Sequence, residues 1–268
     1  MVSYRENVMR GDNKLEYIKV LGIKVSLCTK QQLLSFISGS IWNEEKAVVL
    51  SGNVHSMNLA YKNRWLKDLF NNSDVVRLDG IGVRLGAKIL GYSTPKRMTW
   101  ADFAWDLAKL AEDNRFSIFL LGGQEGVAAQ AAEKLLIKHP FVKIIGNHHG
   151  YFNKNKDNPE TLDVLDQINN KKPNILIIGF GMPVQEKWLM ENRDKINANV
   201  ILTGGAVFDY ISGNLKRSPQ WMNDHGLEWL GRMLIEPRRL WKRYIIGNPV
   251  FLWRVLMQRF GILKFDDN

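Results

Sequence analysis

Short apolar runs rich in β-branched residues punctuate this chain, and each ends in a glycine-bearing turn. Ala47-Val48-Val49-Leu50 leads to Ser51-Gly52-Asn53, Val75–Leu78 to Asp79-Gly80, Ser117–Leu121 to Gly122-Gly123, and Val142–Ile145 to Gly146. Asn174–Ile178 leads to Gly179-Phe180-Gly181, and Val200–Leu202 to Gly204-Gly205. Helical patterns lie between them: from Met57 onward, up to about Leu90, through Ala128–Leu136, over Pro159–Asn169, and to about Lys195. Strands alternating with helices across short turns predict an α/β fold, a mostly parallel sheet with helices on both faces. Two further strands are expected within Lys14–Leu27, paired as a hairpin around Leu21-Gly22. Thr29 can cap a helix reaching about Ser38, and Thr99 one over Trp100–Glu112.

In open α/β sheets, ligands bind in the crevice beyond the carboxyl ends of the strands. Val75-Val76-Arg77-Leu78-Asp79-Gly80-Ile81-Gly82 delivers one carboxylate to such an end, so Asp79 is the candidate reactive group. An Asp before Gly also suits a plain turn. Gln185, in Gly181-Met182-Pro183-Val184-Gln185-Glu186, offers a donor and an acceptor to a ligand, or simply sits in the first turn of a helix. Asp209, after Gly204-Gly205, could accept from a base or ribose hydroxyl, or act as a structural cap.

Several chemistries are excluded. The chain has no P-loop motif and no G-x-S-x-G elbow, and Gly122-Gly123-Gln124-Glu125-Gly126 lacks dinucleotide-fingerprint spacing. The histidines show no zinc-site spacing, and no D-x-D triplet occurs to hold a divalent ion. Any diphosphate charge must then be met by arginines, lysines and backbone donors. The single cysteine, Cys28, allows no intrachain disulfide, in keeping with a reducing compartment. The first residues lack a signal-peptide h-region, and no apolar run reaches the ~18 residues of a membrane span. These features predict a cytoplasmic protein.

Charge divides the chain. Between Leu215 and Lys264, ten Lys/Arg face three acids, which leaves +7 of the whole chain's +10. Residues 1–13 are expected to be loosely ordered, 14–214 to form the core, and 215–268 to form a basic, Trp-rich helical appendage. Arginines interleaved with Trp221, Trp229, Trp241 and Trp253 suit an anionic membrane surface. They would also suit single-stranded nucleic acid, which keeps a nucleic-acid-binding α/β protein as the alternative. A non-enzymatic membrane-surface scaffold is a third possibility, and the exposed tail leaves room for a homo-oligomer.

Taken in order, Ser51-x-Asn53, Leu78-Asp79-Gly80-Ile81-Gly82, Arg97, Leu121-Gly122-Gly123, His149-Gly150-Tyr151-Phe152 and Gly179-Phe180-Gly181-Met182-Pro183-Val184-Gln185-Glu186 form a recognisable set. Gly204-Gly205-Ala206-Val207-Phe208-Asp209, Arg217-Ser218-Pro219 and Gly226-Leu227-Glu228-Trp229-Leu230-Gly231-Arg232 to Glu236-Pro237-Arg238-Arg239 continue it. From about residue 15 to 260 the chain resembles the WecG/TagA/CpsF glycosyltransferase family.

The resemblance implies a Rossmann-like core and an inverting, metal-independent transferase without a cofactor. It would move a sugar, such as N-acetylmannosamine, its uronate or another hexose, from a UDP-sugar to a polyprenyl-diphosphate-linked saccharide. The work would be done peripherally on the inner face of the plasma membrane, with no nucleic acid involved. By position, Asp79 would be the general base. Ser51 would contact the donor sugar or orient the site, with Asn53 beside it. Arg97, Tyr151, Gln185 and Asp209 would line the donor or acceptor pocket. Arg232 and Arg239 would neutralise the diphosphate, with Arg238 and Arg243 as neighbours. Ser51 stands where the family usually has Thr, and Trp100 where it commonly has Gly.

Overall fold

The computed structural model describes residues 15–219, 221–222 and 226–265. The loose N-terminus expected over 1–13 lies outside them. The strands are β1 (Tyr17–Val20), β2 (Ile23–Ser26), β3 (Ala47–Gly52), β4 (Val75–Leu78), β5 (Ser117–Gly122), β6 (Lys143–His148), β7 (Ile175–Gly179) and β8 (Val200–Thr203). Helices α1 (Lys30–Trp42), α2 (Val54–Lys62), α3 (Arg64–Asn71), α4 (Ile81–Ile89), α5 (Trp100–Asn114), α6 (Val127–Lys138), α7 (Pro159–Lys171), α8 (Val184–Asn192) and α9 (Val207–Ser212) connect or follow them. Beyond residue 215 come α10 (Glu228–Ile235), α11 (Pro237–Trp241), a π-helical turn over Lys242–Ile246, and α12 (Gly247–Arg259).

Among the described residues the strands form one sheet in the order β1-β2-β4-β3-β8-β7-β5-β6. Only the β1–β2 hairpin is antiparallel, as its Leu21-Gly22 turn predicts. Successive strand side chains point to opposite faces, and the core divides accordingly. Val49, Val75, Leu120, Ile177 and Leu202 pack with α1, α5, α6 and α9 on one face. Leu50, Val76, Leu121, Ile178 and Ile201 pack with α2, α3, α4, α7, α8 and α12 on the other.

Three elements differ from expectation. The helix capped by Thr29, whose hydroxyl and Gln32 form a capping box, continues to Trp42. The helix after Asn53 breaks at Asn63, which sits in an extended conformation between α2 and α3. Gly146 lies inside β6 rather than in a turn, because a Cβ there would fall 2.5 Å from the Phe119 ring of the neighbouring strand.

The segment after residue 215 returns to the sheet. Phe251 and Val255, one turn apart on α12, are fully buried in the second core. Gly86 makes room for this: a Cβ at Gly86 would lie 2.8 Å from Phe251 Cζ. Gln258 then bonds the opening hairpin, accepting from Leu21 N at 2.7 Å and donating to Lys19 O at 3.0 Å. The α10–α11 stretch is thereby held across the carboxyl ends of the strands.

Candidate active site

A cleft of about 810 Å³ opens beyond the carboxyl ends of β3, β4, β7 and β8, and α10, α11 and the π turn cover it. It lies at the middle of the sheet, where the early strands β4 and β3 meet the late strands β8 and β7. This is the crevice in which open α/β sheets bind ligands.

Asp79 stands on its floor. The backbone N–H of Asp79 donates to Gly52 O at 2.9 Å, tying the end of β4 to β3. The Asp79 side chain is 23% exposed, and its Oδ2 lies 3.5 Å from Arg77 Nη2. Arg77 is completely buried. Its Nε donates to Ser51 Oγ at 3.1 Å and its Nη1 to Met98 O at 3.0 Å, and the guanidinium lies 4.7 Å from the Trp100 ring centroid. Sequence reasoning passed over Arg77 because an arginine inside an apolar strand run gives no sign of what it faces.

Ser51 has no hydrogen-bonding capacity left for a ligand. Its hydroxyl donates to Thr203 O at 3.0 Å and accepts from Arg77 Nε and from Trp100 Nε1, the latter at 2.9 Å. A hydroxyl offers one proton and two lone pairs, so all three are spent. Of the two roles expected for Ser51, the geometry favours orienting the site. Trp100 fits the same network, its Nε1 also reaching Thr203 O at 2.9 Å.

Asn53, Arg97, Gln185, Arg232, Arg239 and Arg243 all line the cleft with Asp79. Asn53 caps α2 through Ser56 N at 3.0 Å, and its Oδ1 also receives Arg243 Nη2 at 3.4 Å. Gln185 is a staple: its Oε1 accepts from Gly181 N at 3.2 Å and Gly205 N at 3.1 Å, joining the turns after β7 and β8. Its Nε2 donates to Glu186 Oε1 at 2.7 Å. Glu186 is fully buried, and burial pushes its carboxyl up to about 7. Arg97 pairs with Glu228 of α10, and Arg217 holds Asp102 at 2.7 Å, so two ion pairs clamp the cover to the core.

Tyr151, Asp209 and Arg238 do not line the cleft. Tyr151 is 70% exposed, and Arg238 faces solvent beside the cleft-lining Arg239. Asp209 lies in the first turn of α9, close to Arg239 and Arg232, with its carboxyl raised by burial. Gly122-Gly123 also stays outside the cleft, its turn bonded to β7 through Gly123 N and Gly179 O at 3.1 Å.

Tyr210 and His55 enter the cleft without having been singled out by sequence. The Tyr210 hydroxyl is buried with no hydrogen-bond partner, under a ring that stacks 5.5 Å from the Arg232 guanidinium. Burial, helped by Arg243, pushes His55 down to about 4, so its imidazole is neutral near pH 7. Among the described residues, no three His, Cys, Asp or Glu side chains converge as metal ligands would.

The arrangement is one carboxylate on a sheet-end floor beneath guanidinium groups brought by a C-terminal cover. It can accept a proton on one side and hold a polyanion on the other. Comparison with known proteins agrees with that chemistry. The profile of the glycosyl transferase WecG/TagA/CpsF family matches residues 18–264. A Bacillus subtilis (strain 168) protein named N-acetylglucosaminyldiphosphoundecaprenol N-acetyl-beta-D-mannosaminyltransferase is 31% identical over 212 residues, 79% of this chain and 80% of the relative. A Staphylococcus aureus (strain NCTC 8325 / PS 47) protein of the same name is 24% identical over 249 residues, 92% of this chain and 95% of its own. Sheet, cleft and matched residues therefore lead to one assignment: the chain belongs to the WecG/TagA/CpsF family and is a glycosyltransferase.

Proposed function

We propose that this enzyme transfers a hexose, with inversion and without a metal ion, from a UDP-sugar to a polyprenyl-diphosphate-linked saccharide in cell-envelope polymer synthesis. The observation that carries this is the meeting of Asp79 with Arg232, Arg239 and Arg243 in one cleft. In a single displacement, the acceptor oxygen forms its bond to the anomeric carbon as the bond to the UDP oxygen breaks. Asp79 takes the acceptor's proton, and the departing diphosphate keeps the electron pair. The charge developing there calls for preorganised cations, and the arginines of α10, α11 and the π turn, which line the same cleft, would supply them. Tyr210 and Arg97 would complete the contacts to donor or acceptor.

The relatives' names specify an N-acetylglucosaminyl-diphosphoundecaprenol acceptor and a transferred N-acetylmannosamine. A lipid-linked saccharide acceptor is proposed for this chain as well. The cover supports work at a membrane surface. Leu234, Ile235, Trp241, Ile245 and Ile246 are exposed on it, among the cations Arg238 and Lys242, and Trp253 of α12 is exposed beyond them. Exposed aromatics among cations suit the headgroup region of an anionic leaflet. No helix of the described residues is long and apolar enough to cross a membrane. The expected association is peripheral, on the inner face of the plasma membrane. Three of the tail's arginines, Arg232, Arg239 and Arg243, line the cleft, which favours this reading over nucleic-acid binding along an open basic face.

The test is a UDP-release screen across UDP-sugars, with a short-chain polyprenyl-diphosphate saccharide as acceptor and EDTA present. Turnover with one donor is expected. Failure with every donor, or turnover only after a divalent ion is restored, would overturn the proposal.

A further inference from the structure

Nothing in the packing requires position 77 to be an arginine. Its bulk sits against the Trp100 and Phe103 rings, where a methionine or leucine would also fit, and its polar contacts are Ser51 Oγ, Met98 O and Asp79 Oδ2. Removing a guanidinium from water costs several kcal/mol per ion, and burial lowers the Arg77 pKa, with Asp79 opposing it. Replacing a whole buried ion pair by well-packed apolar side chains is often neutral or stabilising, whereas removing one partner leaves the other uncompensated.

What the arginine provides is a fixed plane. Nε is bound to Ser51 Oγ at 3.1 Å, Nη1 to Met98 O at 3.0 Å, and the face of the guanidinium rests on Trp100 at 4.7 Å. Ser51 is itself anchored to Thr203 O at 3.0 Å, and Trp100 Nε1 reaches the same carbonyl at 2.9 Å. With three sides held, Nη2 has one position. It is buried, makes no hydrogen bond, and lies 3.5 Å from Asp79 Oδ2.

The geometry points to Arg77 as a positioning residue for Asp79, held in place by Ser51 and Trp100. Nη2 draws Oδ2 toward the floor, which sets the carboxylate plane and leaves Oδ1 for the acceptor hydroxyl. Contacts of this kind are often long in an empty site and shorten when substrate arrives. This role presupposes that Asp79 is the proton acceptor. It goes beyond that assignment by naming the side chains that aim it.

Two variants test it, Arg77→Met, which keeps bulk without charge, and Arg77→Lys, which keeps charge without the planar fork. For Arg77→Met, kcat should fall roughly 10²-fold, the scale of a 1 Å misplacement at a reacting centre. KM for the UDP-sugar and UDP affinity should stay near wild type, while Tm falls because Ser51 Oγ and Met98 O lose a donor and Asp79 its partner. Arg77→Lys should recover part of the loss. Wild-type kcat in Arg77→Met would overturn the role, as would a loss of kcat matched by an equal loss of UDP affinity. If Arg77→Met does not fold, Arg77→Lys decides: wild-type turnover there also overturns it. If the wild-type enzyme releases no UDP from any donor, the proposed reaction falls on its own. The crystal structure of Arg77→Met then settles the positioning: a swung Asp79 carboxylate supports it, and an unmoved one ends it.

Discussion

Arg97, in the loop before α5, is ion-paired with Glu228 at the start of α10, so a cation that lines the cleft is held by the element that covers it. Both side chains are largely buried, at 17% and 16% exposure. Removing one partner leaves a poorly solvated charge. Glu228→Gln should cost about 1–2 kcal/mol, discounted for partial exposure, and lower Tm by roughly 3–6 °C. UDP should raise the Tm of the variant more than that of wild type, since a diphosphate replaces the lost anion. Thermal melts with and without UDP check this, and an unchanged Tm would remove the pair from the closure of the site.

Asp79→Asn keeps the shape of the floor and removes the base. Turnover should drop by roughly 10²–10⁴-fold, the usual contribution of a positioned proton acceptor. UDP binding, measured by calorimetry, should hardly change. Normal turnover in this variant would take Asp79 out of the chemistry.

Arg243 reaches the cleft from the π turn and touches Asn53 at its far wall. Charge-assisted hydrogen bonds contribute about 1.5–3 kcal/mol, which corresponds to roughly 10–150-fold in an equilibrium constant. Arg243→Ala and Arg239→Ala should each weaken UDP binding within that range and depress kcat as well. Steady-state kinetics across UDP-sugar concentrations read both quantities, and wild-type values would exclude the cover from the leaving-group site.

Glu186 carries its own pH signature. Burial raises its carboxyl to about 7 from an ordinary 4.5. Between those values the folded protein holds a proton that the unfolded chain has released. Its stabilising effect is complete below about pH 4.5 and is lost as pH rises through about 7. Wild type should therefore lose on the order of 3 kcal/mol relative to Glu186→Gln across that window. Urea titrations at both ends of the window, run on both proteins, measure the difference. Parallel pH profiles would contradict the assignment.

Phe251 makes truncation at residue 215 an unsuitable test of the cover, because it would remove core together with cover. Phe251→Ala alone should cost about 3–5 kcal/mol by the cavity it leaves. Denaturant unfolding checks the figure. A change below 1 kcal/mol would mean that α12 is not part of the fold's core.

The strand ends were legible because an apolar run followed by glycine has few other uses, and Asp79 stood out as a candidate because it is an acid at such an end. Gly146 misled for the same reason: its small size serves the Phe119 ring across the strand pair, a partner no local pattern reveals. The charge excess after Leu215 marked a region of different chemistry, yet Phe251 and Val255 in its midst belong to the core. A hydrophobic pair one turn apart looks alike whether it faces lipid or a sheet. Ser51 is the plainest case of what sequence withholds. Its place at a strand end could be read from the pattern, but the commitment of its proton and both lone pairs depends on Arg77, Trp100 and Thr203, which are far apart in the chain.

Gln258 grips the first hairpin from the last helix, so the earliest and latest parts of the fold are hooked together. The cover is thus tied to the sheet's edge as well as to its core, so fraying of the first hairpin would release one of the holds on the cover.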